Sequence, residues 1–266
     1  MRITDTVERG LVRSGLDVFS IGESECGLPI LCAHGGDRDG GQLIVTAAIH
    51  ARECYTALVV LRQALSYSGA GGVYFIPLVN PDGALFFENG ETFGRGFLKR
   101  FLPRRREWKA NACGVDLNCN FDANYGTGKY NVHQPCDSGY IGTSPLCAAE
   151  SSALARFTES VLPISTVSYH CMGGELYWEF FQTGEARRRD KALASALAKR
   201  IGVKRVDGDL ESAGGYKDYC VMRLGIPAFT VELIKSGSHP FAPSDFEADA
   251  ERNERLPEYL HGLLAD

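Results

Sequence analysis

His50 and Glu53 lie three residues apart in the run His50-Ala51-Arg52-Glu53, and His170 follows far downstream, directly after an apolar run. Imidazole nitrogen and carboxylate oxygen both bind zinc at about 2.0–2.2 Å. Two histidines and one glutamate make a three-ligand set, and the fourth position stays open. That vacancy separates a hydrolytic zinc from a structural one, which closes all four positions with protein atoms. The pattern therefore points to a metallohydrolase using a single zinc ion to activate water. Such chemistry also needs a base and groups that orient the ligands. Glu232, near the end of another apolar run, is a further candidate for such a site.

The elements around these residues explain how they could converge. Apolar runs at 43–48, 73–79, 164–169 and 228–233 read as buried strands. Helical patterns occupy 57–65, 186–201 and 245–264. Continuous apolar strands alternating with helices predict an α/β fold: a single domain over 1–266, with a mixed, mostly parallel twisted sheet and helices on both faces. In such sheets ligands sit beyond the carboxyl ends of the strands. His50, His170 and Glu232 all fall at such ends. Asn80-Pro81-Asp82-Gly83 reads as a turn closing the second strand. The long irregular stretch 84–142 is too long for a simple connection and is a candidate for loops that build a site.

Composition narrows the function classes. With 266 residues and 44% hydrophobic content the chain can bury a large core. A net charge of −5 gives no global case for nucleic acid or membrane binding. No run reaches the roughly 18–20 apolar residues that a bilayer span needs. The start, Met1-Arg2-Ile3-Thr4-Asp5, lacks the basic and apolar blocks of a secretory signal, so a cytoplasmic location is expected. Nine scattered cysteines without a CxxC read as free thiols in a reducing compartment.

Further segments carry a family resemblance. His-Ala-Arg-Glu is followed in order by Asn-Pro-Asp-Gly, Trp108-Lys109, the run 114–121 (Gly-Val-Asp-Leu-Asn-Cys-Asn-Phe), Tyr140-Ile141-Gly142, Glu150, Ser168-Tyr169-His170 and Phe229-Thr230-Val231-Glu232-Leu233. This order resembles the zinc carboxypeptidases of the carboxypeptidase A type, from about residue 15 to 260. The resemblance implies that His50, Glu53 and His170 hold one zinc ion and that Glu232 is the general base. It also implies that Asp116 orients His50, that Arg52 lines the substrate groove, and that Asn118 holds a substrate carboxylate. Cys113 and Cys136 fall where secreted members often form a bridge.

The departures concern substrate. Cys119 stands where the family has an arginine that forks onto a terminal carboxylate, and a thiol cannot replace two charge-assisted hydrogen bonds. Lys109 replaces a second arginine, which polarises the scissile carbonyl. Leu210 and Glu211 occupy the region of the family's mobile tyrosine, while Tyr216 follows the pair Gly214-Gly215 and is a candidate substitute. Lys217 lies at the position of the specificity pocket's floor, where a cation favours an acidic group; a solvated helix lysine is the other reading. Arg95, Lys99, Arg100, Arg104, Arg105, Arg106 and Lys109 form a basic run that could line an anionic groove or simply face solvent. The segment Trp108-Lys109-Ala110-Asn111 is similar to bacterial members that cut γ-D-glutamyl bonds to diamino acids in cell-wall peptides. The expected partner is thus a small, acidic peptide, with no nucleic acid and no membrane. Release of acidic C-terminal residues, N-acyl amino acid deacylation and a non-catalytic zinc-binding role remain as alternatives.

Overall fold

A computed structural model describes residues 2–208 and 211–265. Eight strands form one sheet: β1 Asp17–Glu23, β2 Pro29–Gly35, β3 Gln42–Ala47, β4 Gly72–Ile76, β5 Ser165–Cys171, β6 Glu175–Tyr177, β7 Lys204–Val206 and β8 Ala228–Leu233. Their order across the sheet is β1-β2-β4-β3-β5-β8-β6-β7. The central four, β4-β3-β5-β8, are parallel. Every residue of β3 and β5 is buried, as a strand covered on both faces requires.

Helices α1 Ile3–Ser14, α2 Ala57–Ser66, α3 Pro81–Asn89, α4 Ala149–Val161, α5 Gly184–Ile201, α6 Tyr216–Leu224, α7 Glu247–Asn253 and α8 Leu256–Ala265 complete the layers. Side chains alternate between faces along each strand. Leu43, Val45, Val167, Tyr169, Phe229 and Val231 therefore join the core beneath α1, α2, α5 and α8. Ile44 and Ala228 join a second cluster with residues of α4 and α6. His170 and Glu232 sit at even-numbered positions, on the face turned away from the first core.

The chain leaves β3 toward β4 on one side and reaches β5 on the other, so β3 is the switch point at which such sheets open a crevice. In this parallel pairing His170 lies opposite Glu232.

Four boundaries differ from the sequence reading. β4 ends at Ile76, not at 79. β5 extends through His170 to Cys171, so the histidine is part of the strand and is fixed by its pairing. Asn80-Pro81-Asp82-Gly83 opens α3: Asn80 Oδ1 accepts from Gly83 N at 2.9 Å, and Pro81 has no N–H to leave unsatisfied in the first turn. The irregular stretch thus begins with a helix and later contains a 3-10 helix, Gly96–Glu107. Finally, 245–264 is not one helix. It divides into a 3-10 turn Pro243–Phe246, then α7 and α8, with Pro257 near the start of α8 where proline is tolerated. No described helix is long and apolar enough to cross a membrane.

Candidate functional site

Beyond β3 the backbone turns at Ala48, whose φ of 54° is unusual for a residue with a Cβ. Two hydrogen bonds hold it there: Ala48 N donates to Thr56 Oγ1 at 3.0 Å, and its carbonyl accepts from Asn80 N at 3.1 Å. A 3-10 turn, Ala51–Thr56, follows and carries Glu53. Asn80 is fully buried and its Nδ2 also donates to the carbonyls of Ile49 and Ala110. It ties the His50 loop to the loop that brings in Lys109. Ala51 N and Arg52 N complete the join by donating to the carbonyls of Lys109 and Trp108. Sequence alone marks Asn80 as a turn residue; its clamping role depends on contacts between distant segments.

Three side chains meet at this point. His50 Nδ1 lies 2.9 Å from Glu53 Oε1, and His170 Nδ1 lies 3.3 Å from Glu53 Oε2. The two imidazoles stand edge to face with centroids 4.9 Å apart. The outer nitrogens face other partners. His50 Nε2 is 3.3 Å from Asp116 Oδ1, and His170 Nε2 is 3.3 Å from Ser168 Oγ. Asp116 is itself held by Gly139 N, which donates to Oδ2 at 2.9 Å. Both Nδ1 atoms therefore converge on the carboxylate while both Nε2 atoms are anchored from behind. This is the arrangement that orients metal-binding histidines.

Burial and charge agree with a cation site. All three residues are buried, and one ligand atom from each can be chosen so that all lie within 4.8 Å of one another. Burial disfavours charge on His50, yet Glu53 and Asp116 raise its imidazole to about 9. Burial likewise opposes ionisation of Glu53, but His50 and His170 hold it well below the usual carboxylate range. Burial, reinforced by the Glu53 charge, pushes Glu232 up to about 8. Glu53 and Asp116 set two carboxylate charges beside the two buried imidazoles, surroundings that favour a cation, and the charge of a bound divalent ion would invert these shifts. Two imidazole nitrogens and a carboxylate are donors that zinc takes, and they fit one ion.

A cleft of about 490 Å³ opens over this centre. His50, His170, Lys109 and Glu232 all line it, as do Asp116, Asn118 and Cys119. Glu232 Oε2 is buried without a hydrogen-bond partner among the described residues. The positive charge of Lys109 acts on His50, Asp116, Cys119 and Glu232. Asn118 Oδ1 accepts from Tyr216 N at 3.0 Å, which fixes the start of α6. Burial raises the Cys119 thiol far above its usual range, so it faces the cleft as a neutral group.

Other expected residues lie elsewhere. Tyr216 is fully buried, packs on Phe121, and bonds Thr158 Oγ1 through its hydroxyl at 2.8 Å. It points into the core behind α6 and does not line the cleft, so it is no substitute for a mobile tyrosine. Leu210 lies outside the described residues, and Glu211 pairs with Lys129 at 2.8 Å. Tyr130 and Tyr177 are the tyrosines that line the cleft among the described residues. Arg52 is half-buried, does not line the cleft, and leaves its Nε unpartnered.

Lys217 lines the cleft but is neither solvated nor free: its Nζ stands 2.6 Å from Asp218 Oδ1 and donates to the Glu179 carbonyl at 2.9 Å. Of the basic run, Lys109 alone reaches the cleft. Arg95 bonds Cys26, Cys113 and the Glu25 carbonyl, and Arg104 pairs with Glu107. Cys113 and Cys136 are both free; Cys136 Sγ donates to the Ser138 carbonyl instead.

Comparison with known proteins agrees with this geometry. Residues 14–256 match the family described as zinc carboxypeptidase. Over 268 aligned positions the chain is 29% identical to the uncharacterized protein YqgT of Bacillus subtilis, covering 88% of this chain and 70% of that one. It is 30% identical to gamma-D-glutamyl-L-diamino acid endopeptidase 1 of Lysinibacillus sphaericus, over 71% of this chain; the match spans 48% of that relative's length. Among solved structures, bovine thrombin-activatable fibrinolysis inhibitor superposes with a TM-score of 0.79 at 17% identity, covering 100% of this chain and 97% of the other. Murein-tripeptide amidase MpaA from Escherichia coli O157 superposes with a TM-score of 0.61 at 20% identity, covering 95% and 94%. At these identities the structural matches speak for the fold.

Proposed function

Since the chain belongs to the zinc carboxypeptidase family, we propose that it is a zinc peptidase with Glu232 as general base, acting on small anionic peptides of the γ-D-glutamyl–diaminopimelate kind. The observation that carries the mechanism is the in-register placement of Glu232 beside His170, with one carboxylate oxygen unpartnered and the side chain facing the cleft. Bound by His50, Glu53 and His170, zinc supplies acidification of water and polarisation of a carbonyl. Glu232 takes the proton from the attacking water and returns it to the leaving amine. Lys109 offers a point charge to the carbonyl oxygen as negative charge grows there. Asp116 and Ser168 keep the histidine rings aimed.

The substrate half of the proposal rests on what the cleft lacks. Cys119 offers no fork for a terminal carboxylate, and the one Nζ of Lys217 is already engaged. Relatives named for γ-D-glutamyl-diamino acid and murein-tripeptide hydrolysis support a cell-wall peptide over a general C-terminal residue. Glu232→Gln should keep its zinc and lose about 10²–10⁴-fold in turnover of L-Ala-γ-D-Glu-diaminopimelate. Full activity in that variant, with zinc content measured alongside, rules out Glu232 as the base. Faster release of C-terminal residues from ordinary peptides than cleavage of the γ-D-glutamyl bond rules out the substrate class.

A further inference from the structure

Behind the cleft, on the other face of the sheet, a chain of buried polar side chains ties together the segments that carry the site. Tyr169 precedes His170 in β5 and points to the opposite face, into the first core. Its hydroxyl donates to Asn253 Oδ1 at 3.2 Å and accepts from Gln63 Nε2 at 2.8 Å. Gln63 belongs to α2, which follows the turn that bears Glu53, and its Nε2 also donates to the Asn253 carbonyl at 2.7 Å. Asn253 Nδ2 in turn donates to the Asp249 carbonyl at 2.8 Å. Asp249 Oδ2 accepts from Ile234 N at 3.0 Å, two residues beyond Glu232. Gln63, Tyr169, Asp249 and Asn253 are all buried. Helix α7 therefore grips β5 beside His170 and β8 just past Glu232.

Two of the three residues that α7 buries, Asp249 and Asn253, are polar, so the helix is attached mainly by directed bonds, which fix distance and angle. The backbone that Asp249 holds is strained: Ile234 has φ 46°, an outlier for a β-branched residue. Such a conformation persists only where its surroundings over-determine it. Gly173 N donates to the carbonyls of Leu233 and Ile234 at 3.1 Å, and Gly174 N to that of Leu233 at 3.4 Å. Asp249 supplies the bond on the N–H side, a charge-assisted one, while Arg252 pairs with its other oxygen. We propose that Asp249 is a positioning residue for Glu232: anchored to β5 through Asn253, it fixes the end of β8 and so the distance of the base from His170. Without that bond the end of β8 relaxes toward extended backbone, and the Glu232 side chain moves with it. This inference rests on the reading of Glu232 as the base, but the brace itself can be observed without any cleavage.

The test uses the zinc-loaded enzyme and L-Ala-γ-D-Glu-diaminopimelate. Asp249→Ala should keep its zinc content and KM and lose about 10²-fold in kcat, as a misplacement of the base by roughly 1 Å does. Asp249→Asn, which keeps an oxygen for Ile234 N, should retain most of the turnover. Adding Ile234→Gly to Asp249→Ala removes the strain that Asp249 opposes and should recover about tenfold in kcat. A residue that only stabilises the fold lowers the melting temperature and leaves kcat of the folded, zinc-loaded protein unchanged. That result overturns the proposal, as does an asparagine variant no better than the alanine one. Should Asp249→Ala fail to fold, Asp249→Asn and hydrogen exchange of the unmutated protein decide. The Ile234 amide lies beyond β8, yet it should exchange as slowly as the amides inside that strand. Fast exchange there overturns the brace, and this arm needs no variant. Protection at Ile234 with no peptide cleaved upholds the brace and defeats the peptidase reading, whereas cleavage with an unprotected Ile234 amide does the reverse.

Discussion

Asp116 shows how much of the centre depends on groups that never need to touch a metal. Its Oδ1 faces His50 Nε2 and its Oδ2 is fixed by Gly139 N, so the imidazole presents Nδ1 to Glu53. Removing such a support typically costs 10–100-fold in metal affinity. Asp116→Ala should therefore weaken zinc binding by about that factor in a chelator competition. An affinity equal to that of the unmutated protein means that His50 is oriented by Glu53 alone. The donor set His50, Glu53 and His170 was legible as residue types, and Glu232 as a candidate base through the family resemblance. The fate of Tyr216 was not, because the direction in which a helix residue points depends on what packs against that helix. Phe121 and Thr158 hold it in the core.

At the scale of elements, the start of α6 is where loop and helix must fit most closely. Gly214 has φ +81°, and a Cβ there would come 2.7 Å from the Cys119 carbonyl oxygen. Two backbone bonds clamp the same place: Phe121 N donates to the Gly214 carbonyl, and Gly214 N to that of Ala123. Gly214→Ala should therefore cost about 1–3 kcal/mol in denaturant unfolding, from strain at the forced backbone conformation. It should also raise KM by displacing Asn118, Lys217 and Asp218, without lowering zinc content. Unchanged stability and KM mean that the loop absorbs the methyl group freely. The central strands were readable because they are continuously apolar. The outer strands β1, β2, β6 and β7 and the helices α1, α4 and α6 were not, since they are short or mix apolar with polar residues. The 245–264 pattern runs across a break whose position is set by packing at Phe246 and Leu256, both buried.

At the scale of the whole molecule, β3 pairs with β4 on one side and β5 on the other, and the crevice at that point gathers His50, His170 and Glu232. Loading the zinc site joins segments far apart in the chain, so it should stabilise the entire fold. At a free zinc concentration of 1,000 times Kd the gain is about 4.1 kcal/mol. In a chain of this size that corresponds to roughly 10 °C in Tm. Calorimetry of chelated and zinc-loaded protein checks it; transitions within a degree of each other mean that the three ligands are not tied by a shared ion. The sequence by itself determined the chemistry on offer, because ligand type, spacing and buried-strand pattern are local properties. Tertiary structure decided which of those groups share a space. Tyr216 was turned into the core, the arginines of the basic run were kept out of the cleft, and Lys217 was paired with Asp218, because side-chain direction and ion pairing depend on neighbours that sequence distance does not reveal.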